Sequence, residues 1–130
     1  MSTQIQIDHG VQNGTEIRFL LAEENEISTL KPAGKMITDS EKKSFVYLID
    51  EEEEGYGHIH FTQGAWPLMV EALKSEIDPM LSCGEENIQL TNFTEELDML
   101  IFNIEGNNNY GEAFSTAVEG AFAEILESAE

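Results

Sequence analysis

The sequence predicts an α+β domain: an antiparallel sheet of four to five strands from the N-terminal half, with about three helices from the C-terminal half packed on one face. Three observations carry this. The first half holds short apolar runs separated by turn signals, several of them alternating with polar residues. The second half repeats apolar residues at helical spacing. Strands and helices do not alternate, which argues against a βαβ parallel sheet. At 130 residues and 41% apolar, the chain has the size of one domain, residues 1–130, and can bury roughly two thirds of its unfolded surface.

Ile5 and Ile7 alternate with polar neighbours and open the first strand. Asn13-Gly14 is a strong hairpin signal, because both residues accept a positive φ, and Ile17 to Leu21 form the returning strand. A two-residue turn there sets Ile7 opposite Leu20 but Val11 opposite Glu16, so the register stays open. Glu23 to Glu26 and Lys31 to Gly34 are expected as loop. Lys35-Met36-Ile37 and Phe45 to Ile49 make a second hairpin, and the latter run, apolar on both faces, predicts a central strand. Asp50 to Gly55 is an acidic turn, followed by a strand over Tyr56 to Thr62.

The first helix is expected near 65–78, with Pro67 in its first turn and Trp66, Met69, Leu73 and Ile77 on one stripe. Pro79 and Gly84 interrupt the chain, and Ile88 to Leu90 offer a short strand. The second helix, near 92–105, begins at capping-box spacing, Asn92 with Glu95. It buries Phe93, Leu97, Leu100, Ile101 and Ile104 and stops at Gly106. Asn109 to Glu112 repeats the box. The third helix, 110–128, lines up Phe114, Val118, Ala121, Phe122, Ile125 and Leu126.

Charge restricts the partners. There are 26 acids and 6 bases, a net of −20. No base lies beyond Lys74, so residues 75–130 carry 13 acids and a net of −13. Direct nucleic-acid binding draws its affinity from Lys and Arg displacing counterions and is disfavoured. Anionic membrane surfaces are disfavoured too, and no run reaches the ~18 apolar residues of a membrane span. Met1 to Gln4 lacks a signal peptide's basic start and apolar run. Cys83 is the lone cysteine, which fits a reducing compartment. A cytoplasmic protein is expected.

His58-Ile59-His60 lies in an expected strand, where residues two apart share a face. Beside Asp50 and Glu51 to Glu54, these imidazoles are candidate ligands for a divalent cation, or simply line a solvated sheet face. Four consecutive glutamates repel one another and read as a solvated turn rather than a Ca²⁺ loop. Glu95, Glu96 and Asp98 fall off the apolar stripe of their helix and are expected to point into water. No phosphate loop, nucleophile elbow or Cys–His pairing is present. No catalytic residue is named, no cofactor is expected, and an enzyme is disfavoured. Gly106 to Gly111 reads either as a polar recognition loop presenting Asn107, Asn108 and Tyr110 or as a connection capped by Gly106 and Asn109.

That string, Gly106-Asn107-Asn108-Asn109-Tyr110-Gly111-Glu112 with Phe114, Thr116, Val118 and Glu119, resembles the C-terminal end of the YjbL-like family. Gly34 to Ser40 and Phe61 to Trp66 follow its pattern more loosely, so the resemblance covers roughly residues 34–122. It implies a small protein of unknown function from Gram-positive bacteria, with no assigned catalytic or binding residues.

These features point to a non-enzymatic protein-interaction or regulatory module docking a basic partner. Glu119, Glu124 and Glu127 of the last helix are candidate contacts, with Asn107, Asn108 and Tyr110. One version is a mimic of DNA, and charge serving only solubility is a plain competitor. The alternative class is a small-molecule or divalent-metal-binding protein using the His58/His60 strand face.

Overall fold

The computed structural model describes residues 4–20, 31–39, 41–51, 55–83, 86–106 and 110–128. The α+β class holds, but the single antiparallel sheet does not: the chain builds two mixed four-stranded sheets. The strands are β1 (Gln4–Ile7), β2 (Gly10–Asn13), β3 (Glu16–Leu20), β4 (Pro32–Asp39), β5 (Ser44–Asp50), β6 (Tyr56–Phe61), β7 (Met80–Cys83) and β8 (Glu86–Gln89). One sheet has the order β1-β6-β5-β4, the other β2-β3-β7-β8. The β1–β6 and β3–β7 pairs are parallel and the rest antiparallel.

The chain changes sheets at Asp8-His9. On one side the Thr62 N–H donates to Ile7 O (3.1 Å); on the other the Leu20 N–H donates to His9 O (3.2 Å). Gly64 permits this close crossing, since a Cβ there would lie 2.5 Å from Asp8 O. Ile7 therefore pairs with Phe61 and not with Leu20. The hairpin turns over Gly14-Thr15, one residue later than expected, with Asn13 opposite Glu16 and Gly14 at φ 65°. Pairing by turn alone missed that β1 belongs to a different sheet.

β5 is central, as its two-sided apolar pattern predicts, lying between β4 and β6. Lys31 to Gly34, expected as loop, instead runs into β4 through a register shift between Pro32 and Met36. Gly34 stands there at φ 70°, with the Asn92 amide 3.1 Å from where its Cβ would be.

Four α-helices follow: α1 (Trp66–Ser75), entered through a 3₁₀ turn at Gln63–Ala65, α2 (Phe93–Ile104), α3 (Glu112–Ala121) and α4 (Ala123–Ser128). α1 ends at Glu76, whose φ is +56°. Ile77 is therefore 44% exposed instead of joining the stripe. The capping box at Asn92 is not formed; Asn92 is left-handed with no side-chain cap bond. The Asp78 carboxylate takes its place, accepting from the Asn92 N–H (3.2 Å), the Thr94 N–H (3.0 Å) and the Thr94 hydroxyl (3.1 Å). Gly106 does follow the second helix at φ 69°. The third expected helix breaks in two at Phe122, a fully buried ring at φ −106° and ψ 18°, and its N-cap is Gly111. The box residue Asn109 lies outside the described residues.

Aromatic rings join strands to helices. Phe45 of β5 meets Trp66, Phe114 and Phe122 at centroid distances of 5.4, 5.9 and 5.6 Å. Phe61 meets Phe19 at 4.9 Å and Phe93 at 5.3 Å, which carries the core into the second sheet. Among the described residues no helix is long and apolar enough to cross a membrane.

Candidate functional site

On β6, Ile59 and Phe61 point into the core while His58 and His60 project from the outward face, as a period of two requires. β1 lies alongside, with Gln4 in register with His58. The two rings stand 6.1 Å apart, and the Gln4 amide spans them. Its nitrogen donates to His58 Nδ1 (2.8 Å), and its oxygen accepts from His60 Nε2 (3.0 Å). The Ser44 hydroxyl lies 3.4 Å from His60 Nδ1. This arrangement suits two neutral imidazoles, each carrying its proton on Nε2. Burial, and next the positive charge of Lys42, push the His60 pKa below its ordinary value, against an opposing pull from Asp39. The face opens onto a cleft of about 500 Å³ that also touches Ile37, Lys42 and Val46. Among the described residues no group of three His, Cys, Asp or Glu side chains could hold a metal ion.

A second concavity lies between α1, α2 and α4. A groove of about 500 Å³ has Leu73, Ile125 and Phe102 as apolar surface and Glu76, Asp98, Glu124 and Lys74 as charged lining. A hollow of about 210 Å³ shares Leu73, Glu76 and Asp98 with it and adds Thr94 and Glu95. The two concavities together are lined by four carboxylates and one ammonium. Lys74 is already taken, bonded to Glu124 (3.1 Å) and Glu71 (3.4 Å), and these partners, Glu124 first, raise its pKa. Phe102 is 38% and Met99 49% exposed. With Glu95 and Asp98 they occupy positions 0, 3, 4 and 7 of α2, one face of a helix, opposite the stripe that α2 buries.

The sequence-predicted residues divide unevenly between these places. His58 and His60 do come together. Of the acidic candidates, Glu124 lines the groove. Glu119 accepts the Gly106 N–H (3.0 Å) and ties the end of α2 to α3, and Glu127 is exposed on α4. Tyr110 is half-buried and packs on the core; Asn107 and Asn108 lie outside the described residues. Glu95 and Asp98 are exposed as expected, but Glu96 is not a solvent group: it accepts the Met36 N–H at 3.1 Å. Glu76, Met99 and Phe102 were not singled out from sequence. The available signal was the pair Met99 and Phe102, large apolar residues off the buried stripe of their own helix.

A family model for UPF0738, a family of unknown function, matches residues 5–122. It reaches further towards the N-terminus than the resemblance read from the Asn-rich string. A UPF0738 protein of Lysinibacillus sphaericus is 44% identical over 104 residues, 79% of this chain and 81% of the relative. One from Shouchella clausii is 39% identical, over 72% of this chain and 75% of its own length. The UPF0738 protein YjbL of Bacillus subtilis is 30% identical over 122 residues, 94% of this chain and 99% of the relative. No solved structure matches.

Proposed function

This chain belongs to the UPF0738 family, and from that premise we propose that it is a non-enzymatic interaction module, working as one cytoplasmic domain, that docks a basic protein partner in the groove between α1, α2 and α4. One observation carries the reading. The groove and the adjoining hollow join an apolar floor to four carboxylates, and the single ammonium is already paired with one of them, Glu124, and with Glu71. Apolar surface supplies burial at the centre of an interface, and uncompensated carboxylates steer an oppositely charged partner. The test compares capture by tagged wild-type chain with capture by the triple variant Glu76→Gln, Asp98→Asn, Phe102→Ser. A partner should be held by the wild type and by His58→Ala/His60→Ala, and lost by the groove variant. It should also be lost in about 1 M NaCl, where the Debye length shrinks to roughly 3 Å. A partner held equally by the groove variant overturns the reading.

The strand-face cleft supports a second reading, binding of a small polar molecule. Its favouring observation is the hydrogen-bonded His58–Gln4–His60 array, pre-oriented at the mouth of a cleft of about 500 Å³. With both protons on Nε2, a divalent ion would have to displace the Gln4 amide from His58 Nδ1 and the Ser44 hydroxyl from His60 Nδ1. A rise in melting temperature with micromolar Zn²⁺ or Ni²⁺, abolished by His58→Ala/His60→Ala, would support the metal form of this reading.

A further inference from the structure

We infer that the segment this groove receives is a lysine- or arginine-rich amphipathic helix of a protein partner, lying along α2; this rests on the docking reading above and specifies its ligand. The first argument concerns backbone hydrogen bonds. The groove is walled by three helices, whose interior N–H and C=O groups are already bonded to one another. An incoming segment finds no strand edge there, so it must satisfy its own peptide groups as they leave water, and a helix does that internally.

The second argument is the pattern on α2. Glu95, Asp98, Met99 and Phe102 interleave carboxylates and exposed apolar groups along one face. The complementary surface presents apolar side chains at positions i, i+3 and i+4, flanked by cations. α2 has 12 residues and spans about 18 Å, so roughly three turns of a partner helix can lie beside it.

The third argument is charge. Residues 75–130 contribute 13 acids and no base, and Lys74 is held by Glu71 and Glu124. Nucleic acid and anionic lipid meet only repulsion here. A second copy of this chain, also at −20, is repelled as well.

The test titrates the isotope-labelled full-length chain with two synthetic peptides of equal length and charge, about 14 residues of leucine and lysine. One is patterned as an amphipathic helix, and in the other two central prolines prevent helix formation. The helical peptide should bind saturably, shift the resonances of Leu73, Asp98, Met99, Phe102 and Ile125, and bind at least about tenfold more tightly than the proline peptide. It should lose that advantage with Phe102→Ser, an exposed position that leaves the core untouched. Equal binding of both peptides in the groove would overturn the helix inference and leave basic docking standing. No shift in the groove with either peptide would overturn both. Binding of the helical peptide unchanged by Phe102→Ser would place it elsewhere and also reject the inference.

Discussion

On the outward face of β6 two imidazoles are bridged by one carboxamide, whereas the concavities between α1, α2 and α4 are lined by four carboxylates and a single ammonium. Both regions are concave, and each opens a cleft of about 500 Å³. They differ in what is left over. The strand face has tied both rings to Gln4, and of its outward apolar residues Val46 and Leu48 are 2% and 7% exposed while Ile37 is 46% exposed. The groove has paired its one cation and leaves carboxylates and a phenyl ring facing water. Polar groups bonded within the chain argue for structure, and exposed apolar surface beside charge of one sign argues for a partner.

The largest expected effect tests whether the two regions belong to one cooperative unit. Phe45 links the β5 sheet to Trp66, Phe114 and Phe122, so Phe45→Ala should cost about 3–5 kcal/mol. Trp66 fluorescence and far-ultraviolet circular dichroism should move together on denaturation. Separate transitions would mean that strands and helices unfold independently, and the comparison would then be between two units.

Asp78→Ala removes the acceptor for two backbone N–H groups and a hydroxyl at the start of α2. A loss of about 1–2 kcal/mol is expected, measured by urea denaturation. Asn92→Ala, which removes no cap bond, should lose less. The reverse order would reinstate the capping box.

The strand face is sharpened by pH. His60 has a folded-state pKa below its ordinary value, from burial and Lys42. The unfolded chain therefore binds its proton first as pH falls through about 6.5. The His60 contribution is present above that range and is lost on acidification towards the lowered folded pKa. Wild type should lose more stability between about pH 7 and 5 than His60→Gln, and Lys42→Ala should raise the His60 midpoint in an NMR titration. An unmoved midpoint would show that Lys42 is not felt at this face.

The smallest effects have opposite signs within the groove. Glu76→Gln with Asp98→Asn relieves repulsion and should raise stability by a few tenths of a kcal/mol, the scale of exposed charge interactions, and the gain should vanish near 1 M NaCl. Glu124→Gln should lower stability, since it removes the Lys74 ion pair. Glu119 and Glu124 each hold a partner, so neutralising either removes a bond as well as a repulsion.

Local pattern made part of this legible. The central β5, the α1 and α2 stripes and the stop at Gly106 follow from periodicity and glycine conformation, which act over a few residues. What stayed hidden depends on distant partners. The parallel pairing of β1 with β6 joins Ile7 to Phe61 across 54 positions, and β7 became visible only beside β3. Asp78 displaces Asn92 as the cap of α2 from 14 positions away. The histidine pair was readable because strand period alone aligns His58 with His60. The groove was not, because it is assembled from three helices, and net charge gives a region's sign without its shape.

The central claim, that the groove and not the strand face is the docking surface, is tested most directly by zero-length carbodiimide cross-linking of the captured complex. This chemistry joins a carboxylate only to an amine in contact with it, so it reports which acids touch a basic partner. Partner lysines should be found coupled to Glu76, Glu95 or Asp98, with the coupling suppressed by Phe102→Ser. Coupling concentrated instead on Asp39 and Glu41, beside the His58–Gln4–His60 array, would contradict the account.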